Sequence, residues 1–270
     1  SLRRSLARAV ATAALVWFVG LGILTWQQVQ VWRDTETLWM YALELDRDCS
    51  ICHHNLGDLL DSRGYAALAV EHLERASAVR PDRVKTRWRL GAALLNAGRP
   101  AEAVQHFQEV LDQVLKRSAR DLDIARSHGS LGVALLNAGR PAEAVQHFEE
   151  VLRRSEADAD TLNHLGLALI QQGRPEEGIE HLRQAIRLAP THVAAHTNLG
   201  LALTSLGNPA EALPHFRRAV ELAPKSPHPR LALVQGYLAL GNAGQAQAEY
   251  EILKGLDPRL AHQIPLRWKP

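Results

Sequence analysis

Cys49, Cys52 and His53 are the residues with the clearest capacity for chemistry, and they form the run Cys-Ser-Ile-Cys-His. The C-x-x-C-H spacing is typical of covalent haem attachment, with His53 as the proximal iron ligand. The candidates for the opposite ligand are Met40, His54 and His72. A local disulfide and a pair of unpaired thiols also remain open. No zinc site is expected, because no second C-x-x-C or H-x-x-x-H cluster lies nearby.

Histidines also recur at a fixed spacing, at His72, His106, His147, His181 and His215. A glutamate precedes each of the last four by four residues, which supplies half of a metal site on a helix. Successive pairs lie too far apart along the chain to share a metal, so we expect them to support an outer helix face. The sequence has no Walker loop, no H-E-x-x-H and no G-x-S-x-G, so no metal site and no catalytic residue is predicted.

Six glycines recur at nearly regular intervals and mark where the helices that position these residues are expected to end and begin. Gly64, Gly98, Gly139, Gly173, Gly207 and Gly241 each close one stretch of apolar residues at helical spacing and open another. A period of 34 residues, interrupted once by seven extra residues, predicts an array of helix pairs. Such an array presents surface rather than an active-site cleft, so the sequence favours partner binding over catalysis.

Residues at fixed positions of the period predict how the two helices pack. With the glycine as position 15, position 8 is glycine in five repeats, position 20 is alanine or glycine, and position 24 is large and apolar. Small residues let the helices approach closely, and the large residue fills the space that remains. Glycine at position 15 ends the first helix, proline at position 17 begins the second in four repeats, and proline at position 32 stops it.

These positions resemble the signature of the tetratricopeptide repeat family over about residues 34–260. The resemblance implies an all-α right-handed superhelix with a concave groove. Six repeats are predicted, at 50–83, 84–117, 125–158, 159–192, 193–226 and 227–260. A capping half-repeat helix is expected at 33–49 and a short tail at 261–270. The second helix of repeat two is expected to run to about Ala119, because seven extra residues follow it.

The groove is the predicted partner-binding surface. In this family, positions 2, 5, 6, 9 and 13 of the first helix face it. The residues expected there are His54, Asn55, Asp58, Lys85, Trp88, Arg89, Asn96, Arg126, Asn137, Asn163, His164 and Asn198. Asparagines can hold the backbone of an extended peptide, cations can hold carboxylates, and Trp88 can serve as an anchor. A merely solvated face is the alternative for any one of them.

The N-terminal 1–32 differs from the rest in composition. Residues 9–26 carry no charge, Arg3, Arg4 and Arg8 precede them, and Trp26 and Trp32 follow where an interfacial belt would lie. We expect a membrane-spanning helix with its arginine side cytoplasmic, and hence repeats in a periplasm or lumen. A buried core helix and a cleaved signal peptide are the alternatives. Because the first residue is Ser1 rather than Met, we expect a piece of a longer protein or a processed one.

The junction after this helix has a resemblance of its own. The runs LTWQQVQVWRDTETLW, AL-x-LD and NLG within 24–57 are similar to bacterial multi-pass proteins in which a glycosyltransferase-like membrane domain precedes tetratricopeptide repeats. The eukaryotic relatives are the transmembrane-and-tetratricopeptide O-mannosyltransferases. This resemblance implies a catalytic domain upstream of the present sequence and repeats that present acceptor proteins to it.

The composition limits the other partners. The net charge is +2 and the charges are interspersed, with no basic block, so no nucleic-acid partner is expected. The sequence therefore predicts a membrane-anchored scaffold, held in lipid by 9–26, that binds a peptide or protein in its groove. The alternatives are the substrate-presenting end of a glycosyltransferase and a haem-carrying module at Cys49, Cys52 and His53. No cofactor other than that haem is expected.

Overall fold

The computed structural model describes Trp17, Leu21, residues 35–117 and residues 119–264. Apart from Trp17 and Leu21, the transmembrane segment predicted at 9–26 lies outside these residues, as does 265–270 of the tail. Membrane anchoring therefore stays a prediction. Within the described ranges, no helix combines the length and the apolar character that crossing a bilayer requires.

Residues 35–117 and 119–264 contain fourteen α-helices and no strand, so the described chain is all-α as predicted. The helices are α1 Thr35–Leu45, α2 Ser50–Ser62, α3 Ala66–Val79, α4 Val84–Asn96, α5 Pro100–Lys116, α6 Asp121–Asn137, α7 Pro141–Arg154, α8 Ala159–Gln171, α9 Pro175–Leu188, α10 Val193–Ser205, α11 Pro209–Leu222, α12 Pro227–Ala239, α13 Ala243–Leu256 and α14 Pro258–Ala261.

The turn inside each repeat depends on its glycine. All six glycines at position 15 have a positive φ, between 70° and 87°, which a residue with a side chain rarely adopts. Each follows the first helix of its repeat, here called helix A. The second helix, helix B, begins two residues later, and in four repeats its first residue is proline. The predicted roles of glycine and proline in this turn are confirmed.

Proline at position 32 is not the only signal that ends helix B. Helix α7 ends at Arg154, the same repeat position at which α9 ends at Leu188, although Glu156 occupies position 32 of its repeat and Pro190 that of the next. In repeat three the helix thus ends at position 30 without the proline. In repeat two, which also lacks the proline, helix α5 runs on to Lys116, at position 33.

The seven extra residues lengthen two helices. Helix α5 was expected to run to about Ala119, but it ends at Lys116, and α6 begins at Asp121, four residues before the predicted start of its repeat. Both helices have 17 residues, whereas the other helices of the repeats have 13 or 14. The expectation placed the insertion in one helix only. The N–H groups of Asp123 and Ile124 bond to the Arg120 carbonyl, so the chain re-enters a helix early.

Helices A and B approach most closely where position 8 meets position 24. A Cβ added to Gly200 would lie 2.5 Å from the Phe216 ring, and one added to Gly132 would lie 2.8 Å from Phe148. Both rings are at most 1% exposed. In repeat four, Gly166 faces Gly178 of helix B, and a Cβ on Gly166 would lie 2.7 Å from the Gly178 carbonyl oxygen. The small-against-large packing predicted from the sequence is confirmed here.

The chain divides into two compact units, Ser1–His106 and Phe107–Pro270. In the first unit α1 packs on α2, α2 on α3 and α3 on α4. Helix α1, the expected capping half-repeat, has no buried residue, so it covers α2 only in part. Leu56, Leu73 and Leu90 form much of the core of this unit.

In the second unit each helix from α6 to α14 contacts the next, and helices A of neighbouring repeats also touch. The last helices are covered by the chain that follows them. Ala261 and Ile264 are at most 2% exposed and join the cluster that contains Phe216, Tyr250 and Leu253. Residues 261–264 of the predicted tail therefore protect the apolar end of the array.

We expect Gly166→Ala to destabilise the protein by about 1–3 kcal/mol, because the added methyl group meets a backbone oxygen that cannot rotate away. Urea unfolding followed by circular dichroism measures the change. Gly255→Ala in α13 is the matched control, because nothing lies within 4 Å of its added Cβ. That variant should be neutral or stabilised by up to about 1 kcal/mol. Equal stability of the two variants would contradict the close-packing explanation.

Candidate functional site

In the first unit, the predicted groove residues of α2 and α4 are bonded to one another. The Thr86 hydroxyl lies 3.2 Å from Nδ1 of His54. The Asp58 carboxylate lies 3.3 Å from Nε of Arg89 and 3.8 Å from Nε2 of His54. Helix A of one repeat is thus tied to helix A of the next through side chains on a shared face. We call this face, built by α2 and α4, the first inner face.

The far end of the first inner face carries an amide–carboxylate hydrogen bond. The Asn96 amide donates to Oδ1 of Asp61 at 2.9 Å, so the predicted asparagine is partly committed to its own protein. The Arg89 guanidinium lies over the Trp88 ring, with its central carbon 5.5 Å from the ring centroid. Lys85 is exposed and Asn55, Trp88 and Arg89 are half-buried. An aromatic ring and two cations are therefore accessible at one place on this face.

In the second unit, α6, α8 and α10 carry the remaining predicted residues, and we call this the second inner face. The Asn198 amide donates to Oδ1 of Asn163 at 2.9 Å, and Asn163 is 4% exposed. His164 stacks on Phe148, with ring centroids 5.7 Å apart and planes 13° apart. Arg126 and Asn137 are exposed. The structure brings the two asparagines together and leaves the other two side chains in solvent.

The two predicted groove histidines are held towards their neutral forms. Burial lowers the pKa of His54, and the Asp58 carboxylate opposes this only in part. Burial also lowers the pKa of His164, with Asp160 opposing it. Positive charge on the first inner face near neutral pH therefore comes from Lys85 and Arg89 rather than from imidazolium. Whether any of these residues contacts a partner stays a prediction.

Cys49 and Cys52 form a disulfide, one of the three states that the sequence left open. The structure does not fit the haem alternative. Both sulfur atoms are in the disulfide, so no thiol is left to form a thioether. Both ring nitrogens of His53 are also engaged, Nδ1 by His72 at 2.8 Å and Nε2 by the Arg47 carbonyl at 3.0 Å. The proximal ligand expected for a haem therefore has no free nitrogen.

Three repeats contain a partly buried contact between two histidines that was not predicted from the sequence. Nδ1 of His53 lies 2.8 Å from Nδ1 of His72, and the same distance separates His128 from His147. The corresponding distance between His196 and His215 is 3.2 Å. Each pair joins position 4 of helix A to position 23 of helix B, 19 residues apart. The histidines at position 23 therefore point between the helices, which corrects their expected place on an outer face.

The hydrogen-bond pattern assigns the protons in two of these pairs. Nε2 of His53 meets the Arg47 carbonyl, and Nε2 of His196 meets the Pro190 carbonyl at 3.1 Å. A carbonyl oxygen only accepts, so Nε2 of each of these rings carries the hydrogen and Nδ1 of the neutral ring is the acceptor. The partner at position 23 must then donate from its own Nδ1. The contact is an N–H···N bond, and a proton on Nδ1 of the position 4 ring would break it.

Other repeats fill the same two positions differently. In repeat six Arg230 forms an ion pair with Glu249, and its Nη2 donates to the Pro224 carbonyl at 3.1 Å. In repeat four position 4 is Leu162, and Nδ1 of His181 is buried with no partner among the described residues. The sequence signal for these contacts is a spacing of 19 residues between two histidines, or between an arginine and a glutamate.

The glutamates that precede these histidines bond elsewhere. Glu102, Glu143 and Glu177 are each held by Nε and Nη2 of the arginine three residues before, at 2.6–2.7 Å. The arginines are Arg99, Arg140 and Arg174. The main partner of each carboxylate is therefore the arginine at the start of helix B, and the histidine four residues later adds a weaker electrostatic attraction that lowers the pKa of the glutamate a little further. Across the described ranges, no group of three or more potential ligands is placed to hold a metal.

Three family models described as tetratricopeptide repeat match the chain, at residues 82–157, 163–227 and 203–263. Together they cover more than half of it. No curated protein matches.

Solved structures agree with this architecture. The Cut9–Hcn1 hetero-tetramer of the APC/C contains a chain with a TM-score of 0.67 at 15% identity, and the match covers 86% of this chain and 45% of that one. TTC0263 of Thermus thermophilus, described as a thermophilic TPR protein, has a TM-score of 0.57 at 22% identity, covering 65% and 92%. MamA from Desulfovibrio magneticus RS-1 has 0.54 at 25%, covering 64% and 94%. The glycosyltransferase resemblance of 24–57 finds no support among these matches and stays a prediction.

We expect the chain to lose stability as the pH falls below about 6.5. Burial lowers the pKa of His72, His128, His147 and His215 in the fold, and the paired ring lowers that of His72, His128 and His215 further. Since these pKa values are higher in the unfolded chain, the unfolded state binds more protons below that pH. Folding free energy is therefore retained above about pH 6.5 and lost on acidification through the folded pKa values.

A double variant, His196→Arg with His215→Glu, copies the Arg–Glu pair of repeat six into repeat five. We expect its free energy of unfolding to fall less between about pH 7.5 and 5.5 than that of the native chain, because an arginine–carboxylate pair survives to lower pH. Urea unfolding at the two pH values tests this. His228→Gln, at an exposed position outside the pairs, should keep the native pH dependence. The same loss in the double variant as in the native chain would argue against the pairs.

Proposed function

Because the chain is a tetratricopeptide repeat protein, we propose that it is a scaffold that binds a peptide or protein partner on the inner faces of its A helices. The observation that supports this proposal most directly is the arrangement of side chains on the first inner face. There an accessible tryptophan and two cations are held on helices that are themselves tied together by the Asp58–Arg89, His54–Thr86 and Asp61–Asn96 contacts.

Pre-organisation supports this proposal. Arg89 is positioned by Asp58 on the neighbouring helix and by the Trp88 ring, so little side-chain freedom remains to be lost when a ligand arrives. Trp88 is half-buried, which leaves part of its ring for a partner. Tryptophan and arginine are also the residues that most often dominate binding energy at protein interfaces.

The chemistry of the face indicates the kind of segment it fits. Lys85 and Arg89 favour a carboxylate, and the Trp88 ring favours an apolar or aromatic side chain beside it. The Asp58 carboxylate partly neutralises the positive charge of Arg89, so a strongly acidic partner is not required. We propose an extended segment with one carboxylate next to an apolar side chain as the ligand of the first inner face.

We also propose that the repeats work on the extracytoplasmic side of a membrane, anchored by the uncharged residues 9–26. The Cys49–Cys52 disulfide supports this location, because disulfides persist in oxidising compartments. Alkaline extraction of membranes from the source cells, followed by protease treatment of spheroplasts whose periplasm is open, tests it. Release of the chain at alkaline pH, or protection of the repeats from external protease together with cytoplasmic markers, would contradict it.

We expect Trp88→Ala and Arg89→Ala each to lower peptide affinity about 5- to 30-fold. The probes are peptides selected on the immobilised chain from a random displayed library, and titration calorimetry measures their affinity. Arg75→Ala is the charge-matched control, because Arg75 is exposed on α3 and pairs with Glu71 of the same helix. Selected peptides that bind both variants as tightly as the control would count against the first inner face.

A further inference from the structure

The disulfide between Cys49 and Cys52 lies where a thiol–disulfide exchange centre needs it, and we propose that it is one, independent of partner binding. Cys49 is the N-terminal cap of α2, a helix of 13 residues, and Cys52 is the third residue of that helix. One sulfur is therefore at the helix terminus and the other within its first turn. The ligand class is a dithiol, small or carried by a protein.

The two sulfurs differ in access. Cys49 is half-buried and opens into a cleft of about 330 Å³. The other side chains that line this cleft are Asp46, Asp48, Ser50, Ile51, Val79, Arg80 and Arg83. Cys52 is 4% exposed and does not line it. An incoming thiolate therefore reaches the Cys49 sulfur, and Cys52 is the thiolate that leaves.

The helix terminus favours the thiolate that exchange requires. The Cys52 amide donates its hydrogen to Sγ of Cys49 at 3.2 Å. This donor remains after the sulfur–sulfur bond opens, and the peptide dipoles of α2 add positive potential at the same point. A thiolate at Cys49 would thus replace a disulfide sulfur without a change of its hydrogen-bond donor.

The backbone around the disulfide is held by contacts that do not depend on it. The Ser50 hydroxyl donates to the Ala76 carbonyl at 2.9 Å, which ties the first turn of α2 to α3. Nε2 of His53 donates to the Arg47 carbonyl, which ties the same turn to the preceding loop. The two Cα atoms, 5.3 Å apart, should therefore stay in place on reduction, so that the pair can close again.

The exchange balances with the dithiol as the sole reductant. One thiolate of the dithiol attacks Sγ of Cys49, the Cys49–Cys52 bond breaks, and Cys52 leaves as a thiolate that takes a proton from water. The second thiolate of the dithiol then attacks its own sulfur in the mixed disulfide and releases Cys49. The dithiol loses two electrons and two protons, and the protein disulfide becomes two thiols.

Single variants of the full chain separate the roles of the two cysteines. We expect Cys49 in Cys52→Ser to react with dithiobis(nitrobenzoate) near pH 7 about 10-fold faster than Cys52 in Cys49→Ser. The difference should vanish in guanidinium, where neither burial nor the helix persists. Serine keeps an oxygen acceptor at the cap in Cys49→Ser, and in Cys52→Ser it stands in the first turn of α2, so both variants should give the native circular dichroism spectrum. Equal rates in the folded variants would overturn the assignment.

The native chain provides a test that needs no variant. Incubation with dithiothreitol, an acid quench and alkylation should add two alkyl groups while the helical spectrum is unchanged. Oxidised dithiothreitol should then return the chain to the unalkylated mass. A disulfide that is reduced only at denaturant concentrations that unfold the helices would show a purely structural bond and overturn the proposal.

Discussion

The approach of helix A to helix B at position 8 is the constraint on which the other features depend. A glycine there lets the position 24 side chain lie directly against the backbone of the facing helix, as Phe216 does against Gly200. That contact fixes the distance between the two helices. It thereby fixes which side chains of helix A remain on the inner face and which ones, such as the position 4 histidines, turn towards helix B.

Much of this arrangement could be predicted from the sequence, because it rests on local rules. Glycine at position 15 and proline at position 17 act within one turn of chain, and their roles were found as expected. The end of α5 was not predictable in the same way. The residues around the insertion suit a helix on either side of the break, and tertiary contacts such as the ion pair of Asp121 with Arg154, 3.0 Å long, accompany the early start of α6.

The candidate site was predictable as a set of residues but not as a set of bonds. The family positions placed His54, Asp58 and Arg89 on one face, and they lie there together. Their pairing depends on the lateral offset between successive A helices, which a period alone does not give. The histidine pairs were missed for another reason. A glutamate four residues before the histidine favoured a Glu–His contact within one helix. The residue that contacts the histidine is 19 residues away, on the other helix of the repeat.

The occupants of positions 4 and 23 differ from repeat to repeat. Repeat five has a histidine pair and repeat six an arginine–glutamate pair, whereas repeat four sets Leu162 opposite His181 and has glycine at both close-contact positions. In a linear array each repeat is stabilised only by its neighbours and by its own contacts. Repeat four therefore depends on the close approach of its two helices, Gly166 against Gly178, rather than on a polar contact between positions 4 and 23.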